Sequence, residues 1–121
     1  MSAKPIEASC HCGAITFEVD GAPDEVTNCN CSICRRSGAL WAYYSPKRVR
    51  FTAAGATDIY MWNDRMIEFH RCKVCGCHTH WLATKRDHDR MGVNARMMPP
   101  DVVAKARVRR FDGADTWQEL S

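Results

Sequence analysis

The stretch CHCGAITFEVD, residues 10–20, joins a pair of cysteines to an alternating run of apolar and polar side chains. Ile15, Phe17 and Val19 occupy every second position, with polar residues between them. Because successive side chains of a β-strand point to opposite faces, this alternation predicts a strand with one buried face. The C-x-C pair before it, Cys10 and Cys12, is the first of three cysteine groups along the chain.

Further short strands are predicted after this stretch, separated by turn residues. The segments with strand character are 25–29, 39–45, 49–51, 58–63, 66–72, 78–84, 89–98 and 106–111. The turn at 20–24 predicts that the first of these returns as a hairpin partner of residues 14–20, and the AAGA turn predicts a second hairpin, between 49–51 and 58–63. Residues 101–105 are long enough for one helical turn. Since no segment keeps a helical apolar period, the predicted fold class is mainly β, with small antiparallel sheets.

Length, charge and apolar content favour one small soluble protein. The 121 residues are one domain's worth, so we expect a single domain over residues 1–121. The formal net charge of +3 argues little for a nucleic-acid partner, since zinc-bound thiolates would remove it. The chain shows neither the apolar core of a signal peptide nor a run long enough to span a membrane. We therefore expect a cytoplasmic location, where cysteines stay reduced and bind metals more often than they form disulfides.

The eight cysteines fall into groups with the spacing of zinc ligands. Cys10 and Cys12 form C-x-C, the central triplet forms C-x-C-x-x-C, and the last group forms C-x-x-C-G-C. The members of the second and third groups are Cys29, Cys31, Cys34, Cys72, Cys75 and Cys77. A C-x-x-C turn aims two thiolates at one metal ion, and Gly76 eases the backbone there. Three such groups on one short chain predict two zinc ions.

The spacing leaves open how the ligands are divided. In one division Cys10, Cys12, Cys72 and Cys75 form a closed four-thiolate site that clamps distant parts of the chain, and the triplet is an open site. In the other division Cys77 joins the triplet, so that both sites are closed.

Three motifs resemble the glutathione-dependent formaldehyde-activating enzyme family, whose domain also occurs in centromere protein V. They are CHCGAITFEV, NCNCSICRRSGAL and FHRCKVCGC, in the family's order and with compatible gaps. The resemblance implies a β-rich, zinc-clamped, sandwich-like domain related to methionine sulfoxide reductase B-type proteins. It further implies a structural zinc on Cys10, Cys12, Cys72 and Cys75, and a catalytic zinc on Cys29, Cys31 and Cys34.

The chain departs from the family's common pattern at two places. Cys77 stands where the family more often has a small hydroxyl residue, and His70-Arg71 precedes Cys72 where a phenylalanine is frequent. The extra cysteine keeps the closed-site alternative open.

Several polar residues are candidates for contacts with a substrate. Arg35 and Arg36 follow the triplet directly and suit the carboxylates of glutathione. His80, two residues after His78 on one strand face, is a candidate acid or base. Asn94 and Arg96 are expected on one strand face as polar pocket groups. The aromatic residues Trp41, Tyr43, Trp62 and Trp81 are expected in the core.

The resemblance implies a carbon–sulfur lyase that adds a thiol to an aldehyde, giving S-hydroxymethylglutathione from glutathione and formaldehyde. Three thiolates make a zinc ion electron-rich, which favours activating a sulfur nucleophile over polarising a carbonyl group. The partners expected are therefore a small thiol and a small aldehyde, without nucleic acid or membrane. A non-catalytic zinc module for protein or nucleic acid is the alternative, and the sequence leaves the oligomeric state open.

Overall fold

The computed structural model describes residues 4–85 and 87–120, and far more of these lie in β-strands than in helices. Two short α-helices accompany the strands, α1 over Cys34–Ser37 and α2 over Pro100–Lys105. The strands are β1 Pro5–Ser9, β2 Ile15–Asp20, β3 Glu25–Cys29, β4 Trp41–Tyr44, β5 Val49–Ala54, β6 Thr57–Tyr60, β7 Ile67–Cys72, β8 His78–Ala83, β9 Met91–Asn94, β10 Arg107–Phe111 and β11 Glu119–Leu120. The prediction of a mainly β fold is confirmed.

The strand predicted from the opening stretch is the middle strand of a three-stranded antiparallel sheet, in the order β1-β2-β5. Ile15, Phe17 and Val19 are buried, and the polar residues between them are only partly covered. The alternation therefore selects the buried face as predicted.

The other eight strands form a second sheet in the order β11-β10-β3-β4-β9-β8-β7-β6. Its neighbours pair antiparallel except for β3 and β10, which run parallel, with Glu25 opposite Arg107 and Cys29 opposite Phe111. This parallel pair brings the end of the chain beside the central cysteine triplet.

Both predicted hairpins are wrong. Strand β3 pairs with β4 and β10 instead of β2. Two consecutive residues of β3, Val26 and Thr27, are buried, so both faces of the strand are covered and it lies inside the large sheet. Strand β5 pairs with β2 and strand β6 pairs with β7, so the turn between them passes from one sheet to the other.

The two faces of the large sheet bury different clusters. On β4, Ala42 and Tyr44 belong to the main core together with Phe17 and Val19 of the small sheet. The alternate residues of that strand, Trp41 and Tyr43, belong to a second cluster that includes the cysteine triplet. The main core thus lies between the sheets, and the triplet lies on the opposite face of the large one.

Helical structure is limited to short pieces. The helical turn predicted at 101–105 is confirmed as α2. The segment predicted as one strand over 89–98 is instead β9 followed by a 3₁₀ turn at Ala95–Met97. Within residues 4–85 and 87–120, no helix has the length and apolar character needed to cross a membrane.

Candidate metal centres

The first and last cysteine groups meet at one point. The sulfur atoms of Cys10, Cys12, Cys72 and Cys75 all lie within 4.8 Å of one another. Sγ of Cys12 is 3.7 Å from that of Cys10 and 3.6 Å from that of Cys72. Zinc–sulfur bonds of about 2.3 Å in a tetrahedral site place the sulfurs about 3.8 Å apart. The four thiols therefore fit an ion of the size and geometry of zinc.

Backbone turns hold these four side chains in place. The backbone N–H of Ile15 donates to Sγ of Cys10 over 3.4 Å. The C-x-x-C turn is closed by the N–H of Gly76, which donates to the carbonyl of Cys72 over 2.9 Å. Gly76 has φ of +81°, a conformation that L side chains rarely adopt. This is the turn that the sequence predicts.

The pKa values of Cys75 and Cys12 are shifted in opposite directions. Backbone N–H groups of Cys77 and Cys12 lower the pKa of Cys75 to about 5. For Cys12, a backbone N–H lowers the pKa, but burial and the neighbouring sulfurs outweigh it and raise the pKa to about 11. Because one of its thiols is this acidic, the group carries more thiolate near neutral pH than four separate thiols would. A metal ion binds the thiolate form of cysteine.

Cys77 lies beside the four-cysteine group and away from the triplet. It packs against Cys10, Ile15 and Cys72, and its thiol is close enough to Cys75 to hydrogen-bond with it. Among the described residues, the sulfurs of the triplet form a metal-sized group without Cys77. The alternative in which Cys77 closes the second site is therefore wrong.

The central triplet forms the second group. Cys29 ends β3, Cys31 lies in the following turn, and Cys34 is the first residue of α1. Their sulfur atoms lie within 4.8 Å of one another. Among the described residues no fourth Cys, His, Asp or Glu completes this group, so its donor set is that of a zinc site with one open position.

Several N–H groups point at the triplet sulfurs. The backbone N–H of Cys34 donates to Sγ of Cys31 over 3.4 Å, and the indole N–H of Trp41 donates to Sγ of Cys34 over 3.3 Å. The backbone N–H of Gly113 hydrogen-bonds the sulfur of Cys29. Donors of this kind orient thiolate ligands and offset part of their negative charge.

The pKa values of the three thiols are pushed apart. Burial raises the pKa of Cys34, and the Trp41 hydrogen bond only partly opposes this. Burial also raises the pKa of Cys29. For Cys31, the effect of burial is outweighed by hydrogen bonds from the backbone N–H and the thiol of Cys34, which lower the pKa. Cys31 is therefore the most acidic of the three thiols.

A cavity of about 280 Å³ opens directly beside the triplet. Its wall is mostly aromatic, and three of its lining residues are the triplet cysteines themselves. The other lining residues are Ile33, Trp41, Tyr43, Trp62, Asn63, Asp64, Met66, Ile67, Phe69, Trp81, Phe111, Gly113 and Trp117. A ligand atom in the open position of the triplet would have this cavity as its surroundings.

The two arginines after the triplet lie outside this cavity. Arg35 and Arg36 are exposed on α1, and neither is among the described residues that line the cavity. The guanidinium of Arg36 donates to the carbonyl of Ser32 over 2.9 Å. In the described part of the chain, the Arg35 side chain has neither an ion pair nor a hydrogen bond. Of the two, Arg35 has the freer guanidinium.

The structure does not bring His80 to the triplet. Its ring stacks on His70 with centroids 4.5 Å apart and packs against Phe51 of the small sheet. The next residue, Trp81, points to the opposite face and lines the cavity. Strand alternation therefore places His80 between the sheets.

Asn94 and Arg96 do not share a strand face, because Asn94 ends β9 and Arg96 lies in the 3₁₀ turn. The Asn94 Oδ1 atom accepts from the backbone N–H groups of Leu40 and Arg96, and its Nδ2 donates to the carbonyl of His78. The guanidinium of Arg96 donates to the carbonyl of Gly38 over 2.6 Å. Both side chains bind backbone groups of this chain.

The residues that sequence reasoning missed are those of the cavity wall. Trp41 and Trp81 are buried as predicted, but Tyr43 and Trp62 join them in facing the cavity. Trp117, in the loop after β10, was not singled out at all. Gly113 was also missed, although a Cβ there would stand 2.5 Å from Sγ of Cys29. The parallel pairing of β3 and β10 that brings both residues to the triplet has no local signal in the sequence.

Comparison with known proteins agrees with this site. Residues 5–111 match the family described as glutathione-dependent formaldehyde-activating enzyme. A crystal structure of a protein from Rhodobacter sphaeroides is similar, with a TM-score of 0.68 and 29% sequence identity. The similarity covers 85% of this chain and 99% of that chain. The chain carrying the two cysteine groups therefore belongs to the family of glutathione-dependent formaldehyde-activating enzymes.

Proposed function

We propose that this protein is a zinc-dependent carbon–sulfur lyase that activates a small, glutathione-like thiol for addition to an aldehyde. The observation that carries the proposal is the triplet of Cys29, Cys31 and Cys34, which offers three thiolates, one open position and an adjoining cavity. A zinc ion held there would bind the substrate thiol as its thiolate near neutral pH. The family match supports the same thiol and aldehyde chemistry.

The four-cysteine group has a different role in this proposal. Cys10 and Cys72 are buried, and all four positions around a metal ion are filled by protein sulfurs. A site of this kind stabilises the fold and leaves no room for a substrate. The second zinc ion would therefore be structural, and Cys77 would be a free thiol beside it.

The chain's own residues prepare the triplet for the reaction. The indole N–H of Trp41 and the backbone N–H of Gly113 hold two of the sulfurs in place. The mostly apolar wall lowers the polarity around the open position, which strengthens the electrostatic interactions there. We assign Arg35, exposed and next to the triplet, as the contact for a carboxylate of the thiol substrate.

Cobalt-substituted protein tests the open position directly. Each thiolate bound to cobalt adds charge-transfer absorption, so a titration with glutathione should raise this absorption in the wild-type protein. Cys77→Ser should give the same response, because Cys77 lies at the other group. An unchanged spectrum in the wild-type titration would contradict the proposed function.

Arg35→Ala should weaken glutathione binding in this titration about tenfold or more, as expected for a charge-assisted hydrogen bond of about 1.5–3 kcal/mol. The matched comparison is Arg36→Ala, because the Arg36 guanidinium is already held by the carbonyl of Ser32. An equal effect of the two substitutions would argue for general electrostatic attraction in place of a specific contact.

A further inference from the structure

The aromatic residues of this protein are gathered on one cavity. Seven of the eleven aromatic residues line it, and they include all four tryptophans of the chain. The seven are Trp41, Tyr43, Trp62, Phe69, Trp81, Phe111 and Trp117. A structural core alone does not require this arrangement, because the main core between the sheets contains mostly aliphatic side chains.

The cavity is much larger than formaldehyde requires. Its volume is about 280 Å³, close to the lower end of pockets that hold drug-sized ligands. Formaldehyde has two heavy atoms and occupies roughly the volume of two water molecules, about 60 Å³. Even with the thiol sulfur at the open position, formaldehyde would leave much of the wall facing a void or loosely held water, which gives an apolar surface little stabilisation.

The charges of the lining residues also indicate which kind of ligand the cavity favours. Asp64 is the charged residue among the described lining residues, and none of them is a lysine or arginine. Arg90 and Arg109 stack on the rings of Tyr43 and Phe111 but do not line the cavity. A ligand with a carboxylate inside this space would lack a cation, so an uncharged, apolar ligand is favoured.

The mouth of the cavity is formed by two loops, and each contributes one tryptophan. Trp62 is followed by Asn63, which has φ of +55°, and Trp117 itself has φ of +58°. This conformation is energetically costly for residues other than glycine, and residues that adopt it are frequent at ligand-binding sites. Trp117 packs edge-on against Phe111, with ring centroids 6.0 Å apart, and nevertheless remains 71% exposed, so most of this large apolar ring is open to solvent.

The Trp117 loop is fixed to the triplet region. Asn30, between the first two triplet cysteines, donates from Nδ2 to Oδ1 of Asp112 over 2.9 Å and accepts the backbone N–H of Ala114 over 3.0 Å. The N–H of Trp117 donates to the carbonyl of Asp112 over 2.7 Å. The aromatic mouth is therefore held at a set distance from the reacting position.

We propose that the aldehyde substrate carries an aryl or comparably bulky apolar group, which this aromatic cavity binds. The inference rests on the proposed function. In the reaction, the thiol sulfur forms a bond to the carbonyl carbon, the electron pair of the C=O π bond moves to oxygen, and the thiol proton ends on that oxygen. The product is a hemithioacetal whose apolar group stays between the rings while the polar thiol remainder lies outside.

Binding and turnover are measured separately on the zinc-loaded protein. Benzyl alcohol has the shape of benzaldehyde but cannot react with a thiol. Since every tryptophan lines the cavity, benzyl alcohol should change the intrinsic fluorescence at millimolar or lower concentration. With glutathione as the thiol, the acceleration over the uncatalysed addition should be at least tenfold larger for benzaldehyde than for formaldehyde.

Trp117→Ala should reduce this benzaldehyde-to-formaldehyde ratio about tenfold, because one ring of the mouth is lost. Trp62→Ala, on the other tryptophan-bearing loop, should also reduce this ratio. The matched control is Ile59→Ala, a half-exposed apolar residue on β6 that does not line the cavity, and it should keep the wild-type ratio.

The outcomes separate this inference from the proposed function. A fluorescence change without acceleration of any aldehyde would support the apolar ligand and contradict the thiol chemistry. Acceleration of formaldehyde, together with no response to benzyl alcohol and an equal or smaller effect on benzaldehyde, would overturn the inference and leave the proposed function intact.

Discussion

The indole nitrogen of Trp41 lies 3.3 Å from Sγ of Cys34 and donates its N–H to that sulfur. Cys34 is the buried member of the triplet, and burial raises its pKa. A thiolate at this position needs a donor, because few water molecules can reach it. Because Trp41 also lines the cavity, this hydrogen bond links the aromatic wall to the affinity of the triplet for a metal ion.

Trp41→Phe should release the metal of the triplet more easily. The substitution keeps an aromatic ring but removes the N–H, and the loss of a hydrogen bond to a metal ligand typically lowers affinity about 10–100-fold. Competition with a chelator should show one of two metal ions lost at a lower chelator concentration. Trp81→Phe is the matched control, since Trp81 lines the same cavity and donates no hydrogen bond to a thiol within the described part of the chain. Equal metal loss in both variants would contradict this role.

The two cysteine groups should differ in their effect on stability. Cys75→Ser opens the group that joins Cys10 and Cys12 to Cys72, and structural zinc contributes about 10–16 kcal/mol of folding free energy in small domains. Because a domain is stable by only about 5–15 kcal/mol, this variant should be unfolded or insoluble. Cys31→Ser should retain the fold and a wild-type circular dichroism spectrum. If the two variants melted at the same temperature, the division into structural and functional sites would be wrong.

Gly113→Ala should disturb the triplet without reaching the main core. A Cβ at this position would stand 2.5 Å from Sγ of Cys29, so either the loop or the sulfur must move. We expect metal binding at the triplet to weaken at least tenfold, measured by chelator competition, while the four-cysteine group keeps its metal. Ala114→Ser, one residue along the same loop, is the control. Unchanged metal retention in Gly113→Ala would mean that the loop adjusts freely.

Acidification should destabilise the fold through His80. Burial, with a smaller contribution from His70, lowers the pKa of His80 to about 3, against about 6.5 in an unfolded chain, and Glu68 only partly opposes this. Between these values the unfolded state takes up a proton and the folded state does not, so stability falls as pH decreases below about 6.5. At pH 5 the loss is about 2 kcal/mol relative to pH 7.5.

His80→Phe should make the fall in unfolding free energy between pH 7.5 and pH 5 smaller by that amount, measured by urea denaturation. The Thr79 hydroxyl hydrogen-bonds Nδ1 of His80 over 2.8 Å, and His70, Glu68 and Phe51 lie near the same ring; all four residues remain in the variant. His88→Gln changes an exposed histidine and should keep the wild-type pH dependence. Parallel declines in all three proteins would show that His80 does not carry the effect.

The strands could be predicted where buried residues occupy every second position. The alternation of Ile15, Phe17 and Val19 is local, so the sequence alone shows β2 and its buried face. Pairing is not local. Turn residues after β2 and β5 predicted hairpins, but both turns connect strands that pair elsewhere, because each strand's partner depends on faces contributed by distant parts of the chain.

The metal ligands were predictable because cysteine spacing is a chemical pattern. The spacing left open which group Cys77 belongs to. In the structure Cys77 lies with Cys72 and Cys75, and the triplet has three sulfurs. The cavity had no such pattern. Trp62 and Trp117 lie in loops far apart in the sequence, and only the tertiary fold brings them to one opening.

The parallel pairing of β3 with β10 has a consequence for the order of folding. The β7–β8 hairpin joins neighbouring segments of the chain, whereas the surroundings of Cys29 include Gly113, more than eighty residues further along the chain. Long-range strand pairs form late because closing a long loop is entropically costly. In pulse-labelling hydrogen exchange during refolding, the amides of β7 should gain protection before those of β10. The surroundings of the triplet would then be completed only after the turn that carries Cys72 and Cys75 has formed.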